Sequence, residues 1–497
     1  MTVLAHGADT LTRDALAVLQ PGFEGTTAPA WLLRQVGEGL TAVGLFGRNI
    51  TSPGQLAALT AQLRAERDDV LVAIDEEGGD VTRLEVRGGS SFPGNLALGA
   101  VDDTGLTRDV ARELGRRLAE CGVNLNWAPS ADVNSNPDNP VIGVRSFGAD
   151  THLAARHTAA YVEGLQAAGV AACTKHFPGH GDTNVDSHHA LPRIDVDLDT
   201  LVVRELVPFK AAIAAGTKAV MSAHILVPAL DPTRPATLSP QILTGLLRKE
   251  LGYEGLIVTD GMEMNAIAGT YGIERGSVLA IAAGADAICV GGGLADEATV
   301  LRLRDALVAA VREGALPAER LADAAARVRA LASWTRQARA AAAPGAPQEG
   351  SAPGIGLAAA RRAVTVTGAA APVANPPYVA TLAPVANIAV GDETPWGVAA
   401  ELAALLPGTA SGVFPEGATA ADVLAAAGER TVVLVVRDAH RHPWMAAALE
   451  ALVEARPETV VVEMGVPRAE PRGALYIATH GASRVCGRAA AELIAGA

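Results

Sequence analysis

The sequence predicts an α/β protein in two parts. An N-terminal (β/α)8 TIM-like barrel over residues 1–340 is followed by a linker at 341–356 and a smaller α/β three-layer sandwich domain over 357–497. Three observations predict it. Eight short apolar runs alternate with helical patterns in the N-terminal part, the rhythm of a parallel sheet wrapped by helices. Ionisable residues recur just after those runs, where barrel enzymes carry their chemistry. From Ala341 to Gly354 the composition falls to Ala, Pro, Gly, Gln and Ser, apart from Glu349, which reads as a linker.

In chain order the candidate barrel strands are Ala15–Leu19, Ala42–Phe46, Val70–Ile74, Val123–Trp127, Val170–Thr174, Ala219–Ala223, Leu256–Thr259 and Ala287–Val290. Several are continuous β-branched and aliphatic runs, as expected of strands buried on both faces. Helical patterns lie between them at Leu56–Arg67, Leu106–Cys121, Leu153–Ala168, Thr200–Ala215 and Ser239–Leu251. A doubly wound sheet is the alternative, but eight units favour closure. Beyond the linker, a helical start at Leu357–Ala363 leads to strand-like Val364–Val366, Ile388–Val390, Thr431–Val436, Thr459–Glu463 and Leu475–Ala478.

A chain of 497 residues is long for one core, so two domains are expected. Nearly half the residues are apolar and only 3% are aromatic, so the cores should be aliphatic. The net charge of −14 excludes a nucleic-acid partner, which needs a basic face. No polybasic run or long apolar stretch points to a membrane. Met1 to Arg13 is polar and lacks an apolar signal core, so a cytoplasmic location is expected. The four cysteines show no CxxC pattern. Cys173 and Cys289, inside apolar runs, are expected to be reduced and buried.

The densest chemistry lies between Lys175 and His189, which packs four histidines and two aspartates with Lys175, Pro178 and two glycines into one strand-end loop. Histidine exchanges protons near neutral pH, and a nearby carboxylate fixes which ring nitrogen carries the proton. Asp186 and His188, two apart, suit that pairing. Glycines let a backbone approach a ligand closely. A metal site is the rival reading, since His176, His180, Asp182, His188 and His189 are ligand types, but no HExxH spacing or cysteine pair supports it. Gly179–Gly181 opens no dinucleotide unit, because no GxGxxG follows. No metal and no cofactor are expected. Elsewhere, Asp260 ends the run Leu256–Thr259 and Asp75 ends Val70–Ile74, while Arg145 offers a guanidinium in a loop.

Taken together, KHFPGHGDTNVDSH, IDEEGG, RSFG, MSAHI and VTDGM resemble the β-N-acetylglucosaminidases of glycoside hydrolase family 3. The resemblance covers about Asp75 to Gly293, with the motifs in the family's order. It implies a retaining, two-step cleavage of terminal β-linked N-acetylglucosamine from cell-wall or chitin-derived glycosides. Asp260 matches the family's nucleophile, and His188, oriented by Asp186, matches its acid/base. Asp75, Arg145, Lys175, His176 and His224 match residues that hold the sugar. The second domain resembles the extra α/β domain of two-domain members. Two positions depart from the family: Asp80 stands where many relatives have arginine, and Gly261 where some have aspartate or alanine. Because a neutral imidazole does not repel an anion, inorganic phosphate is a second candidate acceptor, which would make the enzyme a phosphorylase. A β-glucosidase, a non-catalytic sugar-binding barrel and a metallohydrolase are the other readings.

Overall fold

A computed structural model describes residues 2–185, 191–341, 354–385, 390–391 and 393–497. Its contacts divide the chain into two compact units. One comprises Met1–Glu76, Thr107–Pro140 and Ala149–Ser351; the other comprises Glu77–Leu106, Val141–Gly148 and Ala352–Ala497.

The first unit holds eight parallel strands: β1 (Leu19–Pro21), β2 (Ala42–Leu45), β3 (Leu71–Ile74), β4 (Leu125–Asn126), β5 (Ala171–Phe177), β6 (Ala219–Ser222), β7 (Leu256–Thr259) and β8 (Ile288–Val290). Strands β2 to β7 run consecutively in one sheet, and β1 pairs with β8. A parallel bridge between Val258 and Ala287 joins β7 to the start of β8. Arg48, past β2, donates to the carbonyls of Phe23, Gly291 and Gly292, linking the segments that follow β1, β2 and β8. The barrel is therefore the expected fold.

Its interior follows from strand alternation. Inward positions are Ala42, Leu71, Ala73, Leu125, Trp127, Ala171, Cys173, Ala219, Met221, Leu256, Val258, Ala287 and Cys289, packed with Val328, Leu331 and Ala332 of helix Ala318–Ala341. Small alanines leave room for one large ring. Trp127 reaches across to β2, where a Cβ on Gly44 would lie 2.9 Å from the indole. All four cysteines are buried and unbridged.

Local differences have physical causes. Ala15–Ala17 closes helix Thr2–Ala17 rather than opening a strand. Ala15 to Val18 are all at most 1% exposed, and a short run buried all round has no periodicity to separate helix from strand. The helix expected over Thr200–Ala215 is two, Leu198–Val203 and Leu206–Ala214. The helical pattern after Ser239 becomes a π-helix, Gln241–Glu250.

The second unit is built on β9 (Thr365–Gly368), β10 (Tyr378–Leu382), β11 (Ala410–Phe414), β12 (Val432–Val436), β13 (Val460–Glu463) and β14 (Leu475–Ala478), in the spatial order β11-β10-β12-β13-β14-β9. All pairs are parallel except β9 on β14. Val379, Val433, Val435, Val462 and Ile477 face helices Ile355–Ala363, Ala399–Leu405 and Arg484–Ala495. Ala380, Leu434, Val436, Val461 and Tyr476 face Ala420–Ala427 and Pro443–Ala455. This is the expected three-layer sandwich. The strand expected at Ile388–Val390 falls mainly outside the described residues.

Candidate active site

Parallel strands deliver their C-terminal ends to one mouth of a barrel. Asp75 directly follows β3, Asp260 directly follows β7, and His224 lies just past β6. Lys175 and His176 sit within β5 itself, because the sheet extends to Phe177 rather than ending at Thr174. The Lys175 Nζ donates to Asp75 Oδ1 at 2.5 Å, and its side chain is 2% exposed. Below this pair lies Cys173. Burial pushes its thiol up, Lys175 opposes the rise, and Asp75 and Asp260 add to it.

Asp260 is held by its own turn. Its Oδ1 accepts the Gly261 N–H at 2.8 Å, and its backbone N–H reaches the Ser222 carbonyl at 3.2 Å. His224 supports this turn from beneath. Its Nε2 lies 2.9 Å from the Gly261 carbonyl, and its Nδ1 lies 2.8 Å from Thr237 Oγ1. A carbonyl only accepts, so Nε2 carries a proton.

His176 is oriented by Asp132, a residue past β4. Asp132 Oδ2 accepts from His176 Nδ1 at 2.7 Å and from Ser130 Oγ at 2.8 Å. Its Oδ1 accepts the backbone N–H of His180 at 2.7 Å. Burial alone would raise the Asp132 carboxyl, but the charge and hydrogen bond of His176 hold it well below the usual range. His180 packs edge-on against His176, with ring centroids 5.9 Å apart. Burial, with His176 beside it, lowers His180 to about 4, so this ring stays neutral.

The segment after β5 is fastened to the protein. The Asn139 amide donates to the carbonyls of His180 and Gly181, both at 2.9 Å. Arg204 donates to Asp182 at 2.6 Å and to Glu205 at 2.7 Å. The two glycines serve this packing. A Cβ on Gly181 would lie 1.7 Å from the Val133 carbonyl oxygen, and one on Gly179 2.6 Å from Glu205 Oε2. The close approach they permit is to the protein's own groups. Asp186 and His188 lie outside the described residues.

Within the second unit, Arg145 and Glu77 form a forked ion pair, with Nη2 and Nε of Arg145 at 2.7 and 3.0 Å from the two Glu77 oxygens. Both side chains are at most 5% exposed. Asp132, Glu77 and Thr237 carry this geometry but are not among the sequence-derived site residues. Asp132 and Glu77 are ionisable residues past barrel strands, which is their one sequence signal. Thr237 gives none.

The fold and these side chains define a barrel with carboxylates, a lysine and an imidazole at its strand ends. The model of the glycosyl hydrolase family 3 N-terminal domain matches residues 27–331, and the chain belongs to that family. It is 38% identical over 312 residues to "Beta-hexosaminidase A" of Pseudoalteromonas piscicida, an alignment spanning 58% of this chain and 52% of the relative. The chain therefore spans about half the length of that relative. A beta-hexosaminidase of Neisseria meningitidis serogroup C is 36% identical over 254 residues, covering 50% of this chain and 70% of its own. Among solved structures, a glycoside hydrolase family 3 β-N-acetylglucosaminidase from Paenibacillus sp. str. FPU-7 superposes with a TM-score of 0.86 at 35% identity, covering 98% of this chain and 96% of that one. No helix among the described residues is long and apolar enough to cross a membrane.

Proposed function

We propose that this protein is a retaining exo-β-N-acetylglucosaminidase that removes terminal β-linked N-acetylglucosamine from cell-wall or chitin-derived glycosides. The observation that carries the reading is Asp260, a carboxylate one residue past β7, in a chain of family 3. Asp260 attacks the anomeric carbon and the glycosidic bond breaks, while His188, oriented by Asp186, protonates the departing oxygen. Water, giving its proton to His188, then displaces the Asp260 carboxylate, and two inversions give net retention. Asp75 accepts from sugar hydroxyls; Lys175 and Arg145 donate to hydroxyl and acetamido oxygens; and His176, its Nδ1–H held by Asp132, offers Nε2 as an acceptor to a sugar hydroxyl. His224 acts through the Asp260–Gly261 turn that it supports.

The test supplies aryl N-acetylglucosaminide and aryl glucoside, each with and without phosphate, and identifies the sugar released. Free N-acetylglucosamine is expected in both buffers, at a rate well above that on the glucoside. A sugar 1-phosphate would transfer the acceptor role from water to phosphate. Asp260→Ala is expected to lower turnover by about a thousandfold or more without loss of fold. Near-parental turnover on the activated aryl glycoside would remove Asp260 from the covalent step.

A further inference from the structure

Asp80 sits in a built polar site. Its side chain is 2% exposed. Oδ2 accepts from Arg437 at 2.5 Å, and Oδ1 accepts the backbone N–H of Ala482 at 2.7 Å. Arg437 directly follows β12, and Ala482 lies just past β14. The carboxylate therefore spans the C-terminal ends of three neighbouring strands, the edge where open α/β sheets bind ligands. Arg437 also stacks over Trp396, its guanidinium carbon 5.7 Å from the ring centroid. Burial raises the Asp80 carboxyl and Arg437 opposes that rise.

Three residues earlier in the same unit, Glu77 clamps Arg145. The intervening Gly78 and Gly79 adopt φ of 76° and 63°. Gly79 packs so tightly on Gly94 that a Cβ would lie 2.4 Å from its Cα. These two residues have no side chains of their own with which to anchor the turn. Backbone bonds close the turn, from Glu77 N–H to the Val81 carbonyl and from Gly79 N–H to the Phe92 carbonyl, both at 3.0 Å, and the ion pairs Glu77–Arg145 and Asp80–Arg437 fasten its two ends to the rest of the unit.

We propose that Asp80 is a positioning residue for Arg145: docked on Arg437 and the Ala482 N–H, it fixes the short turn that carries Glu77, and Glu77 in turn aims the guanidinium. The inference rests on the reading of Arg145 as a sugar-binding residue. A pair that served stability alone would alter the melting temperature and leave KM unchanged. A positioning pair weakens ground-state binding, so KM rises while kcat holds.

The experiment measures kcat, KM and thermal melting of the full chain on an aryl N-acetylglucosaminide. The variants are Asp80→Asn, Arg437→Gln, Arg437→Lys, Arg145→Ala and the Asp80→Asn/Arg145→Ala double. Asparagine retains an acceptor for Ala482. Arg437→Gln leaves that hydrogen bond in place and serves if Asp80→Asn does not fold. The expected result is a KM raised about fivefold to tenfold in Asp80→Asn and Arg437→Gln. Arg437→Lys should be intermediate, kcat should stay within about twofold, and the double should rise no further than Arg145→Ala. A parental KM in Asp80→Asn and Arg437→Gln overturns the inference, as does a fall in kcat alone or full multiplicativity in the double. If Arg145→Ala raises KM while Asp80→Asn does not, the sugar role of Arg145 stands and Asp80 alone is lost. If Arg145→Ala leaves KM unchanged, both fall.

Discussion

Asp132 illustrates how one buried carboxylate sets the chemistry of a neighbour. It takes hydrogen bonds from the His176 ring, the His180 backbone and the Ser130 hydroxyl, and it stays ionised because His176 outweighs the penalty of burial. A carboxylate facing Nδ1 forces that nitrogen to keep its hydrogen, so Nε2 is the atom whose proton can change. Asp132→Asn keeps the shape but can turn an amide N–H toward Nδ1, which moves the ring proton to Nε2. The expected outcome is a kcat/KM lower by about tenfold to a hundredfold, read on the aryl N-acetylglucosaminide. A parental kcat/KM would show that the tautomer of His176 is irrelevant. Asp75, Lys175 and Asp260 were legible in the sequence because each lies beside an apolar run. The partner of His176 was not, since 44 residues separate it from Asp132 and only the barrel brings β4 beside β5. Arg145 was legible as a candidate, but its pairing with Glu77, 68 residues away, was not, since no local spacing announces it.

At the scale of elements, β5 and the segment after it bear most of the consequence. Lys175 and His176 look like loop residues by composition. Yet Lys175 pairs with the strand-end segment of β4: its N–H bonds to Pro129 at 3.0 Å, and its carbonyl accepts from Ala131 at 2.6 Å. The strand therefore carries polar residues straight into the mouth. β10 and β11 escaped the sequence reading for related reasons. β10 follows Pro376-Pro377, a loop signal, and β11 is a short run containing Ser411 and Gly412 with no buried residue. The packing of Gly181 makes a sharp prediction. The atom 1.7 Å from its would-be Cβ is a backbone oxygen, which cannot swing aside as a side chain can. Gly181→Ala should cost about 2 kcal/mol or more. It should also lower turnover, because the same segment runs on to Asp186 and His188. Gly54→Ala, with nothing within 4 Å in helix Pro53–Glu66, should leave stability unchanged or slightly improved. Equal melting temperatures for the parent and Gly181→Ala would contradict the close packing described here.

Stability against pH belongs to the whole molecule, and here buried groups pull it in opposite directions. His180 is lowered from 6.5 to about 4, by burial first and by His176 second. Between those values the unfolded chain binds a proton that the folded chain refuses, so stability falls as pH drops through the window. The full effect is about 3 kcal/mol. Glu463, at the end of β13, is raised from 4.5 to about 7 by burial and then by Asp438. Glu205, behind Gly179, is raised to about 7 by burial, against the pull of Arg204. For these two carboxyls the folded chain takes the proton first, so stability rises as pH drops from 7 toward 4.5. Asp132, depressed by His176, holds its contribution until the pH falls below the ordinary carboxylate range, and it is lost beyond that. The parent curve alone would blend these effects, so the informative quantity is the difference between variants. Urea unfolding at pH 7, 5.5 and 4 should show His180→Asn gaining on the parent as pH falls. Glu463→Gln should lose ground over the same descent, since its amide cannot take up the stabilising proton. Curves that stay parallel to the parent throughout would mean that neither group is held away from its ordinary titration.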